Sequence, residues 1–168
     1  PRLIGADNAI EWIATAKPQK PENALKVGAI DSVVAPELLK ATAIQMVTDA
    51  ADGKMDWKNR RAVKQQPLQL NQLEGLMAFN VAKGVVGAKA MPHYPAPMKA
   101  IEVIEKAAGM TRDEALKVEH EGFVDVCQTS QARAMVQIFL SDQLIKGKAK
   151  IAAKTATKQV NQAAVIGA

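Results

Sequence analysis

The sequence predicts a mainly α-helical chain, on three observations. Aliphatic residues recur at spacings of three and four while aromatic residues make up only 4% of the chain, which suits helix packing better than a core of β-branched and aromatic strands. A polar cap residue followed three positions later by Glu, a helix-start signature, occurs at Asn71/Glu74 and at Thr111/Glu114. Glycines and prolines punctuate the segments between the apolar stripes. With 168 residues, 48% hydrophobic and 23% charged, the chain has enough apolar material for a core of its own.

The elements follow in order. Asp7 is placed to cap a first helix with Ile10, Ile13 and Ala14 on one face, stopped by Lys17-Pro18. Pro21-Glu22 opens a second, ended by Gly28 where a left-handed cap is wanted, and AIDSVV then reads as a brief extended stretch. From Glu37 to about Ala51, Leu39, Ala43, Met46, Val47 and Ala50 form the stripe of a third helix, closed by Asp52-Gly53. Lys54 to Leu70 shows no sustained helical period and is expected to be an extended surface connection. Asn71 starts a helix to about Ala90 whose inner stripe is expected to be Leu73, Leu76, Met77, Val81, Val85 and Ala88.

The run MPHYPAP, Met91 to Pro97, is expected to be a non-helical corner because of its three prolines, followed by a helix that ends at Gly109. Thr111 then launches a helix with Ala115, Val118, Gly122, Phe123 and Val126 inside. Thr129 caps a long segment from Ser130 to about Ala153, striped by Ala132, Met135, Val136, Phe139, Leu140 and Leu144. Ala163 to Ile166 read as a short buried strand arriving at Gly167. Both ends of the chain read as cut.

No apolar run approaches the ~20 residues of a membrane span. Cys127, the single cysteine, allows no internal disulfide or thiolate cluster, fits a cytoplasmic location, and is expected to be a small buried hydrophobe. The net charge of +5 is spread along the chain, densest at KNRRAVK (Lys58 to Lys64) and KGKAKIAAK (Lys146 to Lys154). Neither patch interleaves aromatics, so both read as solvated faces and not as a nucleic-acid groove, which needs stacking platforms. The competing reading is an autonomous basic helical module for nucleic acid or an acidic protein.

The segment PRLIGADNAIEWIATAKPQKPENALKVGAIDSVV resembles the stretch beyond the active site in enoyl-CoA hydratases of the crotonase family, with Arg2, Gly5, Ala9, Ala24, Gly28 and Asp31 at matching positions. Three further segments, DWKNRRAVKQQPLQL, AFNVAKGVVGAKAMPHYPAPMKAIEVIEKAA and IFLSDQLIKGKAK, are similar in order and spacing to segments of the multifunctional alpha subunit of the bacterial fatty acid oxidation complex. The resemblance covers essentially the whole chain. It implies the C-terminal helical part of a hydratase domain over residues 1–145, a linking helix over 146–160, and the first strand of a dinucleotide-binding domain over 161–168.

The same resemblance implies a parent enzyme that hydrates 2-enoyl-CoA and oxidises 3-hydroxyacyl-CoA with NAD, with isomerase and epimerase activities, beside a thiolase beta subunit in an α2β2 complex. It places the two hydratase glutamates before Pro1 and the dehydrogenase His and Glu beyond Ala168, so no catalytic residue is assigned and the chain alone is expected to be inactive. Gly167 resembles the first glycine of the dinucleotide fingerprint, which needs three; the chain alone is not expected to bind NAD. Asp142, in FLSDQ, corresponds to an Asp that the resemblance associates with acyl-CoA contact, although Ser141 stands where Asn is usual. Read from the helix alone, Asp142 is a solvated polar residue on the outer side.

The remaining polar candidates have structural explanations. Glu102 and Glu105 share a helix with Lys99 and Lys106, where exposed ion pairs are the normal result. His93 and His120 have no metal-ligand spacing, so no metal site is expected. Thr111 and Thr129 read as caps. Helices that lack part of their cover expose apolar stripes, so self-association or a rearrangement of residues 1–52 is expected.

Overall fold

The computed structural model describes residues 1–90, 93–157 and 162–164. They are mainly helical, with no strand among them. The chain divides into two compact units, Pro1–Val126 and Cys127–Ala168.

The first unit begins with α1, Ala6–Thr15. Gly5 is its N-cap, at φ 82°, and Asp7 lies in the first turn without capping; there its charge suits the positive end of the helix dipole. Ala16 closes α1 in the left-handed conformation, its N–H donating to Trp12 O at 3.1 Å. α2 spans Pro21–Lys26, and Gly28, at φ +78°, takes the left-handed position expected after it. A 3-10 turn, Pro36–Leu38, leads into α3, Leu39–Ala51. The expected stripe of α3 is not buried: Leu39 is 64% exposed and Val47 71%.

The connection expected between Lys54 and Leu70 contains a helix, α4, Trp57–Gln65. Its start is fixed by Asp56, whose carboxylate accepts from Asn59 N–H at 3.0 Å. Every residue of α4 is exposed, so it has no apolar stripe for a periodicity reading to find; its cap and good helix formers stabilise it instead. The Arg60–Asp31 ion pair ties it to the segment after α2.

α5, Gln72–Ala90, starts with the expected capping box: Asn71 Oδ1 accepts from Glu74 N–H at 2.8 Å, and Glu74 accepts from Asn71 N–H at 3.1 Å. Its inner face is the opposite of the one expected. Phe79 is 3% exposed and packs with Ala82 and Val86, whereas Leu73, Met77 and Val81 are 66%, 60% and 63% exposed. The helix is apolar nearly all round, so its period cannot tell which side faces the core.

α6 spans Pro95–Ala107, starting three residues earlier than expected. Pro95 and Pro97 fall in its first turn, where the backbone N–H groups have no helical acceptor and proline costs little. Met91 and Pro92, also part of the expected corner, lie outside the described residues. The core forms where α1, α5 and α6 meet: Ala6 and Ile10 from the first, Phe79 from the second, Ile101 and Ile104 from the third. Ile101 has no exposed surface. Leu68 joins the edge of this cluster and its N–H donates to Ala108 O at 2.8 Å, while Lys83 and Glu105 pair across α5 and α6.

α7, Arg112–Cys127, is launched by Thr111, whose N–H and hydroxyl both donate to Glu114 Oε2, at 3.0 and 2.7 Å. Val118 and Gly122 are buried as expected, but Phe123 is 67% exposed. Cys127, which ends the helix, is exposed and not the buried hydrophobe expected.

The second unit is built on α8, Ser130–Thr155, capped by Thr129, whose Oγ1 accepts from Ala132 N–H at 3.1 Å. The expected stripe is exposed within this unit: Met135, Phe139 and Leu144 are 58%, 60% and 60% accessible. Of the expected terminal strand, Ala163 and Ala164 have no regular structure, and residues 165–168, including Gly167, lie outside the described residues.

Candidate functional site

The first unit carries an open groove of about 720 Å³ lined by residues of α1, α4, α6 and α7 together with Arg2 and Leu68. Its walls are mainly apolar: Leu68 from the connection before α5, Val103 and Ile104 from α6, Leu116 and Phe123 from α7. The geometry follows from local sequence. α6 and α7 are joined by a short turn, Ala108 to Thr111, and α7 meets α6 where Gly122 faces Val103 and the stem of Lys99. A Cβ at residue 122 would collide with Val103 Cγ2, so glycine permits this approach.

Arg2 organises one end of the groove. Its guanidinium donates to the carbonyl oxygen of Gln66, just after α4, and to that of Met110, at 2.8 Å, just before α7. Lys64 and Arg112 line the groove two residues from those acceptors. At the other end Lys99 faces Asp125 at 3.3 Å and Glu102 at 3.6 Å; the hydrogen bond and charge of Asp125, then Glu102, hold its pKa above the usual lysine value. Glu119 is the carboxylate on the groove wall. The residues present can hold an apolar group and ion-pair with an anion.

The sequence-predicted site residues fall elsewhere. Asp142 is on α8 in the second unit, 2.7 Å from Lys146 one turn on. Its side chain is 46% exposed, and Ile138, Phe139 and Ile145, at i−4, i−3 and i+3, lie on the same side of the helix. Gly167 is outside the described residues. Glu102 pairs with Lys99 and Glu105 with Lys83, matching the structural role expected for both. His93 and His120 are both exposed, and Thr111 and Thr129 act as caps.

Arg2 was named only for the family resemblance and Lys64 only as the end of a basic patch, and neither they nor Arg112 were read from sequence as site residues. The hydrogen bonds of Arg2 to Gln66 O and Met110 O span 64 and 108 positions, and no local pattern carries that information. No protein-family model matches the chain.

Proposed function

We propose that the chain is a helical segment of a multifunctional fatty acid β-oxidation enzyme, one that packs against the catalytic body and helps to enclose the acyl-CoA. The observation that supports this best is the amount of apolar helix surface left uncovered within each unit. α5 has a second apolar face opposite Phe79, α3 exposes Leu39, Ile44 and Val47, and α8 exposes Met135, Ile138, Phe139, Leu144 and Ile145. Each such side chain gains about 1.5–3 kcal/mol on full burial, and a helix apolar on both sides belongs in the interior of a larger protein. The finer fold, a hydratase helical region followed by a linking helix, is part of the same reading.

Asp142 takes the acyl-CoA-contacting role in this reading. A carboxylate flanked by Ile138, Phe139 and Ile145 is costly to bury unless paired, and Lys146 supplies one partner. NAD would need a three-glycine turn, of which Gly167 resembles the first glycine. The thiolase partner and cytoplasmic location belong to the same proposal. No described helix is long and apolar enough to cross a membrane. A basic nucleic-acid module would account for Lys58 to Lys64 but leaves the apolar faces of α3, α5 and α8 without a purpose.

The deciding experiment is crotonyl-CoA hydration measured spectrophotometrically for this chain, for a hydratase half of the resembled family, and for the two co-expressed. Hydration by the pair and not by the chain supports a packing segment. Hydration by the chain alone, or failure of the two to associate, counts against it.

A further inference from the structure

The groove of the first unit has a charged end and an apolar end, and the bonds made by Arg2 decide which is which. That guanidinium joins Gln66 O to Met110 O, and Lys64 and Arg112, each two residues from one of those acceptors, line the same groove. At this end the Pro1 ammonium, Arg2, Lys64 and Arg112 face two carboxylates, Asp113, 2.7 Å from Arg112 with its side chain 83% exposed, and Glu119, whose charge acts on the Pro1 ammonium. Lys64 has no ion pair among the described residues. Lys99 at the far end is already matched by Asp125 and Glu102. Between the ends the walls are aliphatic, with Phe123 67% exposed. The volume of about 720 Å³ falls within the ~300–1,000 Å³ usual for small-molecule sites.

We propose that this groove binds a single-chain anionic amphiphile, a fatty acid carboxylate whose head lies among Arg2, Lys64 and Arg112 and whose chain runs between α6 and α7. Charge complementarity selects the occupant. A carboxylate gains charge-assisted hydrogen bonds from a guanidinium fork and an ammonium, which a neutral apolar ligand does not. Lys99 at the other end is already paired with Asp125 and Glu102, so a head at the Arg2 end is favoured. Covering the wall from Leu68 to Phe123 supplies the hydrophobic part of the affinity. The inference rests on the groove alone and does not require the β-oxidation reading.

The test is calorimetric titration of the chain with octanoate, decanoate and dodecanoate below their micelle concentrations. One site per chain is expected, with affinity rising about fourfold per added methylene. Lys64→Gln and Arg112→Gln should each weaken dodecanoate binding by about fivefold while leaving the circular dichroism spectrum unchanged. Both side chains lie on the surface, so two independent variants guard against a folding defect. Dodecanol should bind about tenfold more weakly than dodecanoate.

Equal binding of dodecanol, wild-type affinity in both variants, or several equivalent sites would overturn the proposal in favour of adsorption to apolar surface. Tighter binding of dodecanoyl-CoA than of dodecanoate, lost in the same variants, would reassign the site to the thioester and overturn the carboxylate. Dodecanoate binding that fades with rising chain concentration as dimers form would mean that a second copy fills the groove, which also overturns it. The hydration assay can fail without changing any of these readouts.

Discussion

Gly122 of α7 lies against Val103 of α6 so closely that a methyl group added at residue 122 would occupy the space of Val103 Cγ2. The backbone of Gly122 is helical and tolerates alanine, so the conflict is one of packing. Alanine has the better helix propensity by about 1 kcal/mol, whereas forcing a methyl into a packed contact costs about 1–3 kcal/mol. Valine is stiff at χ1 and cannot easily swing away. Gly122→Ala is therefore expected to lower the melting temperature by a few degrees, and Gly122→Ala with Val103→Ala to recover most of the loss. Thermal denaturation of the four proteins of that cycle checks this, and a Gly122→Ala protein more stable than wild type would refute the close contact.

Arg2 spans two acceptors that only a planar fork reaches together. Removing it leaves the carbonyls of Gln66 and Met110 without a charged donor, and hydrogen bonds to charged groups contribute about 1.5–3 kcal/mol. Arg2→Ala should destabilise the first unit by roughly 2 kcal/mol, and Arg2→Lys should rescue less than half of that, because an ammonium does not reproduce the fork. Urea denaturation gives both values. Full rescue by lysine would show that charge and not bridging geometry matters.

Glu114 makes the start of α7 sensitive to acid. The Thr111 hydroxyl, and then its N–H, hydrogen-bond the carboxylate and hold its pKa below the ordinary glutamate value. A carboxyl group with a depressed folded pKa stabilises fully above its unfolded pKa, about 4.3, and loses that contribution as pH falls through the lower, folded value. The melting-temperature difference between wild type and Glu114→Gln should be constant near neutrality and shrink below about pH 4.3. A difference independent of pH down to strongly acidic solution would remove the charged cap from the account.

How far the sequence discloses this fold depends on the kind of signal. Caps are local, and Asn71/Glu74, Thr111/Glu114 and Thr129 form the bonds their spacing suggests. α4 has a cap at Asp56 but no buried side, so a reading based on apolar period passes over it. α5 has too many apolar sides, so the period marks Leu73 and Val81 as readily as Phe79, and packing with Ile10 and Ile101 decides between them. The charged end of the groove was illegible because Arg2 finds its acceptors through the fold.

The two faces of α5 should respond to mutation in opposite ways. Phe79 is 3% exposed in the core with Ile10 and Ile101, and Val81, on the other side of the helix, is 63% exposed. Phe79→Ala should destabilise by about 3–5 kcal/mol, whereas Val81→Lys should change stability by no more than about 0.5 kcal/mol. If the outer face seeks cover, the wild-type chain will self-associate at micromolar concentration, and Val81→Lys combined with Met77→Lys will shift it toward monomer, as seen by sedimentation velocity. This association uses α5 and leaves the groove of α6 and α7 open, so dodecanoate binding should be the same in the monomeric variant. A wild-type chain that stays monomeric throughout would mean that the outer face of α5 needs no partner, and would weaken the packing-segment proposal with it.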